Sequence, residues 1–222
     1  MAAASCTETI PGEWTLADLV GELGGIPLER IRANPPLGTA TEEDVLRSKS
    51  RHNRICELID GVLVDKPMGT YESLLAAVLI EILAPYVREK DLGLVLGEGG
   101  QLKLLPRQVR VPDVSFIVWD RLPERKLPEQ PIWQIVPDLA VEILSETNTE
   151  GEMERKLRDY FTAGVRLVWY IDPPSRTAKQ YTSPDQCVLI DEQGTLVGGD
   201  VLPDFELPLA ELFARAAGRG SK

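Results

Sequence analysis

The chain has 222 residues, and 24 Lys plus Arg against 35 Asp plus Glu give a net charge of −11. Apolar residues make up 43% and charged residues 27%, the balance of a globular fold long enough to bury a core. The acidic excess argues against a general basic nucleic-acid coat, a single histidine (His52) excludes paired-histidine metal sites, and Cys6, Cys56 and Cys187 show no CxxC spacing for a zinc ribbon.

Those cysteines read as reduced thiols of a cytoplasmic protein. No run of about 18 apolar residues predicts a membrane span, and residues 1–5 have neither the basic nor the apolar region of a signal peptide. There is no GxxxxGK[ST] phosphate loop and no GxSxG elbow. The cluster Gly97-Glu98-Gly99-Gly100 reads as a turn between strands.

In chain order, residues 1–40 read as an N-terminal extension. A short helix is expected from Thr15 through Leu16, Leu19, Val20 and Leu23 to the stop at Gly24-Gly25, followed by a linker at residues 34–38. Thr41 with Asp44 three residues later resembles a capping box and starts a second helix. Asp60-Gly61 between two apolar runs predicts a β-hairpin over residues 57–64. Leu74, Leu75, Val78, Leu79, Ile82 and Leu83 recur at helical spacing, predicting a helix over residues 71–90 with Pro85 as a point of kinking. Strands are expected at 93–96, 101–105 and 110–119, then an exposed loop over 120–137 with Pro123, Pro128, Pro131 and Pro137. A strand at 138–144, a helix at 152–163 stopped by Gly164 and an apolar strand at 165–171 predict a right-handed βαβ unit with a parallel pair. Short strands at 179–182 and 187–191 and an amphipathic helix around Leu209, Leu212 and Phe213 complete the chain.

Two carboxylates interrupt predicted strands: Asp113 in Val111-Pro112-Asp113-Val114 and Glu142 in Val141-Glu142-Ile143. Isolated carboxylates are costly to bury and are normally paired or bound to metal. Lys156 stands on or beside the apolar stripe Met153, Leu157, Tyr160 and Phe161 of the 152–163 helix, which packs back onto the strand of Glu142. Each has an ordinary reading. Asp113 could begin a strand at the surface, Glu142 could pair with Arg166, and Lys156 could snorkel to solvent. Taken together they form equipment for metal-dependent phosphodiester hydrolysis: two hard oxygen donors for Mg²⁺ and a lysine to orient water and stabilise phosphate charge.

Val111-Pro112-Asp113-Val114-Ser115-Phe116, Pro137-Asp138-Leu139-Ala140-Val141-Glu142-Ile143-Leu144-Ser145 and Lys156…Tyr160…Ala163-Gly164-Val165…Trp169…Asp172-Pro173 closely resemble the Uma-type family of restriction-endonuclease-like proteins. Glu57-Leu58-Ile59-Asp60-Gly61 is similar to that family's N-terminal hairpin, and Leu202-Pro203…Leu207-Pro208-Leu209…Leu212-Phe213 to its C-terminal signature. The resemblance spans roughly residues 41–214, leaving 215–222 as a tail. It implies a PD-(D/E)XK nuclease core, α/β with a mixed sheet flanked by helices, and a Mg²⁺- or Mn²⁺-dependent endonuclease acting on nucleic acid, preferentially DNA. Asp113 and Glu142 then hold the metal, joined by the backbone carbonyl of Ile143, and Glu57 is a further acid. Leu144 replaces the lysine expected two residues after Glu142, and Lys156 from the following helix substitutes for it. Tyr71 stands where many members carry a histidine.

The charge of −11 opposes DNA at long range. Local basic clusters answer it in part, with Arg51, Arg54, Arg107 and Arg110 as candidate nucleic-acid contacts. Cutting two strands favours two sites, hence a homodimer. The alternative is a nuclease-fold scaffold without activity, using Ile132, Trp133 and Ile135 to meet a partner.

Overall fold

The computed structural model describes residues 11, 13–52, 54–67 and 69–218, with residues 51 and 52 described by backbone alone. Cys6 lies outside the described residues, as do residues 219–222 of the expected tail. Besides three short 3-10 turns, five α-helices and thirteen strands are described. They are α1 (Leu16–Glu22), β1 (Ile31–Arg32), α2 (Glu42–His52), β2 (Cys56–Ile59), β3 (Val62–Asp65), α3 (Thr70–Glu89), β4 (Gly93–Gly97), β5 (Leu102–Leu105), β6 (Gln108–Arg110) and β7 (Val114–Val118). There follow β8 (Leu139–Ile143), α4 (Glu150–Ala163), β9 (Leu167–Asp172), β10 (Thr177–Ser183), β11 (Gln186–Ile190), β12 (Thr195–Val197), β13 (Glu206–Pro208) and α5 (Leu209–Ala216).

The larger sheet has the order β11-β10-β9-β8-β7-β4. Its β8–β9 pair is parallel, with Glu142 opposite Tyr170, and its other pairings are antiparallel. α4 makes the crossover between β8 and β9, as the βαβ pattern requires. Thr149 caps its start by accepting from the Glu152 N–H, and Gly164 ends it at φ 100°.

Alternation along the strands assigns the two faces. Leu139, Val141 and Ile143 of β8 join Val114 and Phe116 of β7 and Trp169 of β9 under α3 and α5. Ala140 of β8, Ile117 of β7 and Val168 of β9 face α4, meeting Met153, Leu157 and Tyr160. Glu142 shares parity with Ala140, so the strand itself aims its carboxylate at α4. By length and hydropathy α3 could cross a membrane, but Leu75, Leu79 and Leu83 of its apolar face are spent in the core beneath it.

The second sheet, β1-β3-β2-β6-β5, is antiparallel throughout. Its β2–β3 hairpin turns at Asp60 (φ 49°) and Gly61 (φ 82°). Two successive positive φ angles define the turn that matches strand twist, the reason Asp-Gly marks it in sequence.

The stretch expected as one strand over 110–119 is two strands in two different sheets. β6 ends at Arg110 and β7 begins at Val114. Pro112 has no N–H to continue a ladder, and at this break the chain passes from one sheet to the other. The small β12–β13 pair was not expected from sequence.

Leu19, Leu23 and Ile26 pack on Ile59, Val62 and Val64 of the hairpin. Gly24 lies so close to α4 that a Cβ there would stand 2.3 Å from the Gly151 carbonyl carbon. Residues 16–32 thus bridge the hairpin and the start of α4.

Candidate active site

The break between the sheets creates the site. Asp113, just ahead of β7, donates its backbone N–H to the Val141 carbonyl at 3.0 Å. Its Oδ2 accepts from the Ile143 N–H at 2.7 Å. The residue is therefore held to β8 on either side of Glu142. Val114 pairs with Val141 in the ladder, so the position before Val114 falls beside Glu142 by register.

Lys156 enters from α4. Its Nζ stands 3.0 Å from Glu142 Oε2 and 3.0 Å from Glu57 Oε1. Glu57, on β2, also accepts from the Val111 N–H at 3.1 Å and pairs with Arg110 at 2.8 Å. Arg110 turns its other arm to Asp159 on α4. The Tyr160 hydroxyl donates to Glu142 Oε1. All of the catalytic candidates are interior: Asp113 is 6% exposed, Glu142 4%, Glu57 3% and Lys156 3%.

Lys66, just past β3, completes the cluster. Its Nζ lies 2.8 Å from Asp113 Oδ1 and 3.8 Å from Glu142 Oε2, and it donates to the Val111 carbonyl. The four carboxylates (Glu57, Asp113, Glu142, Asp159) face three cations (Lys66, Lys156, Arg110), a formal charge of one negative with every group counted as ionised.

The electrostatics separate the two glutamates. Burial alone would raise Glu57, but Lys156, Arg110 and Lys66 outweigh it and hold its carboxyl well below the usual range. Glu142 goes the other way. Burial raises it, the like charges of Asp113 and Glu57 add to that, and Lys156 and Lys66 only partly compensate. For Lys156 burial favours the neutral amine, yet Glu142 and Glu57 prevail and push it up, so it is cationic at neutral pH. Burial and the adjacent Glu142 raise Tyr160 well above an ordinary phenol, so it keeps its proton.

Asp113, Glu142, Lys156 and Glu57, singled out in the sequence, thus meet in one cluster. Glu142 pairs with lysines, while Arg166 is taken by Asp138 at 2.9 Å. The basic candidates fare differently. Arg110 is 1% exposed and engaged by two carboxylates, so it supports the site from inside and has no surface to offer a nucleic acid. Arg107 donates to the carbonyls of Gly38 and Asp60 at the hairpin turn. Arg54 is half exposed and pairs with Asp65 at 3.1 Å. The Arg51 side chain lies outside the described residues. Sequence reasoning missed Lys66 altogether. Its only trace was a lysine just past the strand Val62-Leu63-Val64-Asp65.

Two cavities of about 500 and 520 Å³ meet at Leu144-Ser145-Glu146, directly after Ile143. Their charged lining is mainly acidic, with Glu72, Glu146, Glu150, Glu154 and Asp172 against Lys179.

Asp113 Oδ1, from the segment just ahead of β7, and Glu142 Oε2, from β8, both face one cation, the Lys66 ammonium. Carboxylate oxygens are the donor type that a divalent ion such as Mg²⁺ or Mn²⁺ prefers, and Glu142 Oε2 stands 3.8 Å from the ammonium against 2.8 Å for Asp113 Oδ1. Among the described residues, no group of three or more His, Cys, Asp or Glu side chains is arranged to hold a metal.

No curated protein matches the chain. A solved structure, "a putative nuclease belonging to DUF820 from Anabaena variabilis ATCC 29413", is similar with a TM-score of 0.65 and 20% identity, over 74% of this chain and 92% of that one. At that identity the likeness shows the fold: mixed α/β, as the sequence resemblance implied. The family model of Uma2, described as "Putative restriction endonuclease", matches residues 42–210, and the chain belongs to that family.

Proposed function

We propose that the protein is a Mg²⁺- or Mn²⁺-dependent endonuclease that hydrolyses phosphodiester bonds of nucleic acid, with DNA the favoured substrate. The observation that carries this reading is the convergence of Asp113, Glu142 and Lys156 from three separate elements into one interior cluster. Membership of a family described as "Putative restriction endonuclease" supports the reaction class.

Asp113 and Glu142 would hold the ion, with the Ile143 carbonyl as a further oxygen. When bound, the ion supplies Lewis-acid stabilisation of phosphate charge and lowers the pKa of water. Lys156, held cationic by Glu142 and Glu57, works as a hydrogen-bond donor and not as a base. It orients water and meets the charge that develops on phosphate. Tyr160 fixes the Glu142 carboxylate, the Ile143 N–H fixes that of Asp113, and Glu57 gives Lys156 a second carboxylate partner at 3.0 Å.

A second reading has its own observation. The acidic lining of both adjoining cavities repels a polyanion, and the carboxylates already have protein partners. Those features suit a nuclease-fold scaffold that binds a protein partner and does not cut.

The test is calorimetric titration with Mn²⁺ of the wild type and Glu142→Ala, followed by nicking of supercoiled DNA. Binding and nicking lost together in the variant support the endonuclease. A wild type that neither binds Mn²⁺ nor cuts DNA or RNA leaves the scaffold.

A further inference from the structure

Lys66 has no part in the reaction as described, yet it occupies the central position. It is only 4% exposed at its side chain. Its ammonium is surrounded by three oxygens: Asp113 Oδ1 at 2.8 Å, Glu142 Oε2 at 3.8 Å and the Val111 carbonyl. Two carboxylates and a carbonyl are the donor set of a hard cation. Lys156 is placed differently. It bridges Glu142 and Glu57 from the helix side and makes no ion pair with Asp113.

We propose that Lys66 is a built-in occupant of the cation site, which neutralises Asp113 and Glu142 in the metal-free protein and must be displaced for a divalent ion to bind. The inference rests on the reading of Asp113 and Glu142 as the metal-holding pair. Charge balance shows why the two compete. With Lys66 in place the cluster carries one net negative charge. Adding a dication would leave one net positive charge in a buried setting, with two cations sharing the same oxygens. With Lys66 withdrawn the cluster carries two negative charges, which one dication cancels. Like charges at such separations in the interior repel strongly.

The surroundings allow the exchange. Lys66 lies in the connection between β3 and α3, and Pro67 and Gly69 beside it line the cavity of about 520 Å³. A side chain leaving the site has open, acid-lined space to enter, with Glu72 and Glu146 there to receive an ammonium. The protein would thus keep its active centre assembled without metal and load it only where divalent ion is abundant.

The test compares Mn²⁺ binding by the full-length wild type and Lys66→Met, which keeps length and removes charge. We expect about tenfold or more tighter binding in Lys66→Met, together with a lower melting temperature without metal and a larger rise on adding it. Equal or weaker Mn²⁺ binding in Lys66→Met overturns the inference and leaves the metal-centre reading standing. No Mn²⁺ binding by either protein overturns both. A second measurement needs no variant. Amine acetylation of the wild type, read by peptide mass spectrometry, should find Lys66 protected without metal and several-fold more reactive with saturating Mn²⁺, while Lys156 stays protected in both. Unchanged Lys66 labelling under Mn²⁺ saturation overturns the displacement.

Discussion

The Asp113 carboxylate accepts the backbone N–H of Ile143 at 2.7 Å, tying the segment before β7 to the strand that carries Glu142. A carboxylate oxygen thereby serves as acceptor for this strand N–H at the point where the β7–β8 ladder ends. The same residue serves the fold and the site through different oxygens, since Oδ1 faces Lys66.

This division predicts unequal effects of two substitutions. Asp113→Ala leaves the Ile143 N–H without its acceptor and Lys66 without a counter-charge, and should destabilise by about 2–3 kcal/mol. Asp113→Asn keeps an acceptor for Ile143, so it should lose less stability while losing Mn²⁺ binding. Urea denaturation and calorimetry read the two quantities separately. If both variants match the wild type in stability, the clamp is not functioning as described.

Lys156 stands between Glu57 and Glu142 at 3.0 Å from each. Lys156→Met leaves two buried carboxylates without their shared cation, a loss of about 3–5 kcal/mol. Nicking should fall with it. Lys156→Arg keeps the charge but replaces a point donor by a planar fork, so it should recover stability better than activity. Recovery of both, or of neither, would argue against a donor role for Lys156.

What the sequence disclosed about this centre follows from what periodicity can encode. Glu142 was visible because a carboxylate in Val141-Glu142-Ile143 violates a buried strand, and Lys156 because it disturbs a helical stripe. The hairpin, the βαβ unit and the Gly164 stop were legible for the same reason: each depends on residues close together in the chain. Lys66, Asp159 and the Tyr160 hydroxyl join the cluster through contacts between distant segments, which leave no local pattern. Arg110 looked like surface charge because composition cannot distinguish a solvated arginine from one enclosed by Glu57 and Asp159. The division of residues 110–119 between two sheets was signalled by Pro112, but Val111 and Val114 on either side of it read as a continuous strand.

Residues outside the span of the family match also act on the centre. Arg30 makes a two-pronged pair with Glu152 on α4, at 2.8 and 2.6 Å, one turn before Lys156. Burial would raise the Glu152 carboxyl, but the hydrogen bonds from Arg30 and the nearby Lys156 charge lower it below its ordinary 4.5. A depressed carboxylate stabilises the fold above its unfolded pKa and loses that contribution as pH falls through the folded value. Glu152→Gln should therefore cost about 3 kcal/mol at neutral pH, and the gap from wild type should close as pH drops below about 4.5. Denaturation curves between pH 3 and 7 check this (about 3 and 7 spanning the carboxylate range). A gap that is constant across the series would mean that the Arg30 pair contributes nothing through charge.

Tyr160 supplies the sharpest contrast with Lys66, because both touch Glu142 and should act on metal in opposite directions. The Tyr160 hydroxyl donates to Oε1, which turns Oε2 toward Lys156 and Lys66. Tyr160 is fully buried, so Tyr160→Phe removes one oxygen and preserves the ring packing of α4 against β8 and β9. The loss of a hydrogen bond to a charged group should destabilise by about 1.5–3 kcal/mol. Freed from its orienting donor, Glu142 should hold Mn²⁺ about 10-fold or more weakly, the usual scale for removing a group that positions a ligand. Lys66→Met should strengthen the same binding. Calorimetry on the two variants and their combination then separates orientation from competition. If both substitutions shift Mn²⁺ affinity in the same direction, the hydroxyl and the ammonium do not have the separate roles that their positions around Glu142 assign to them.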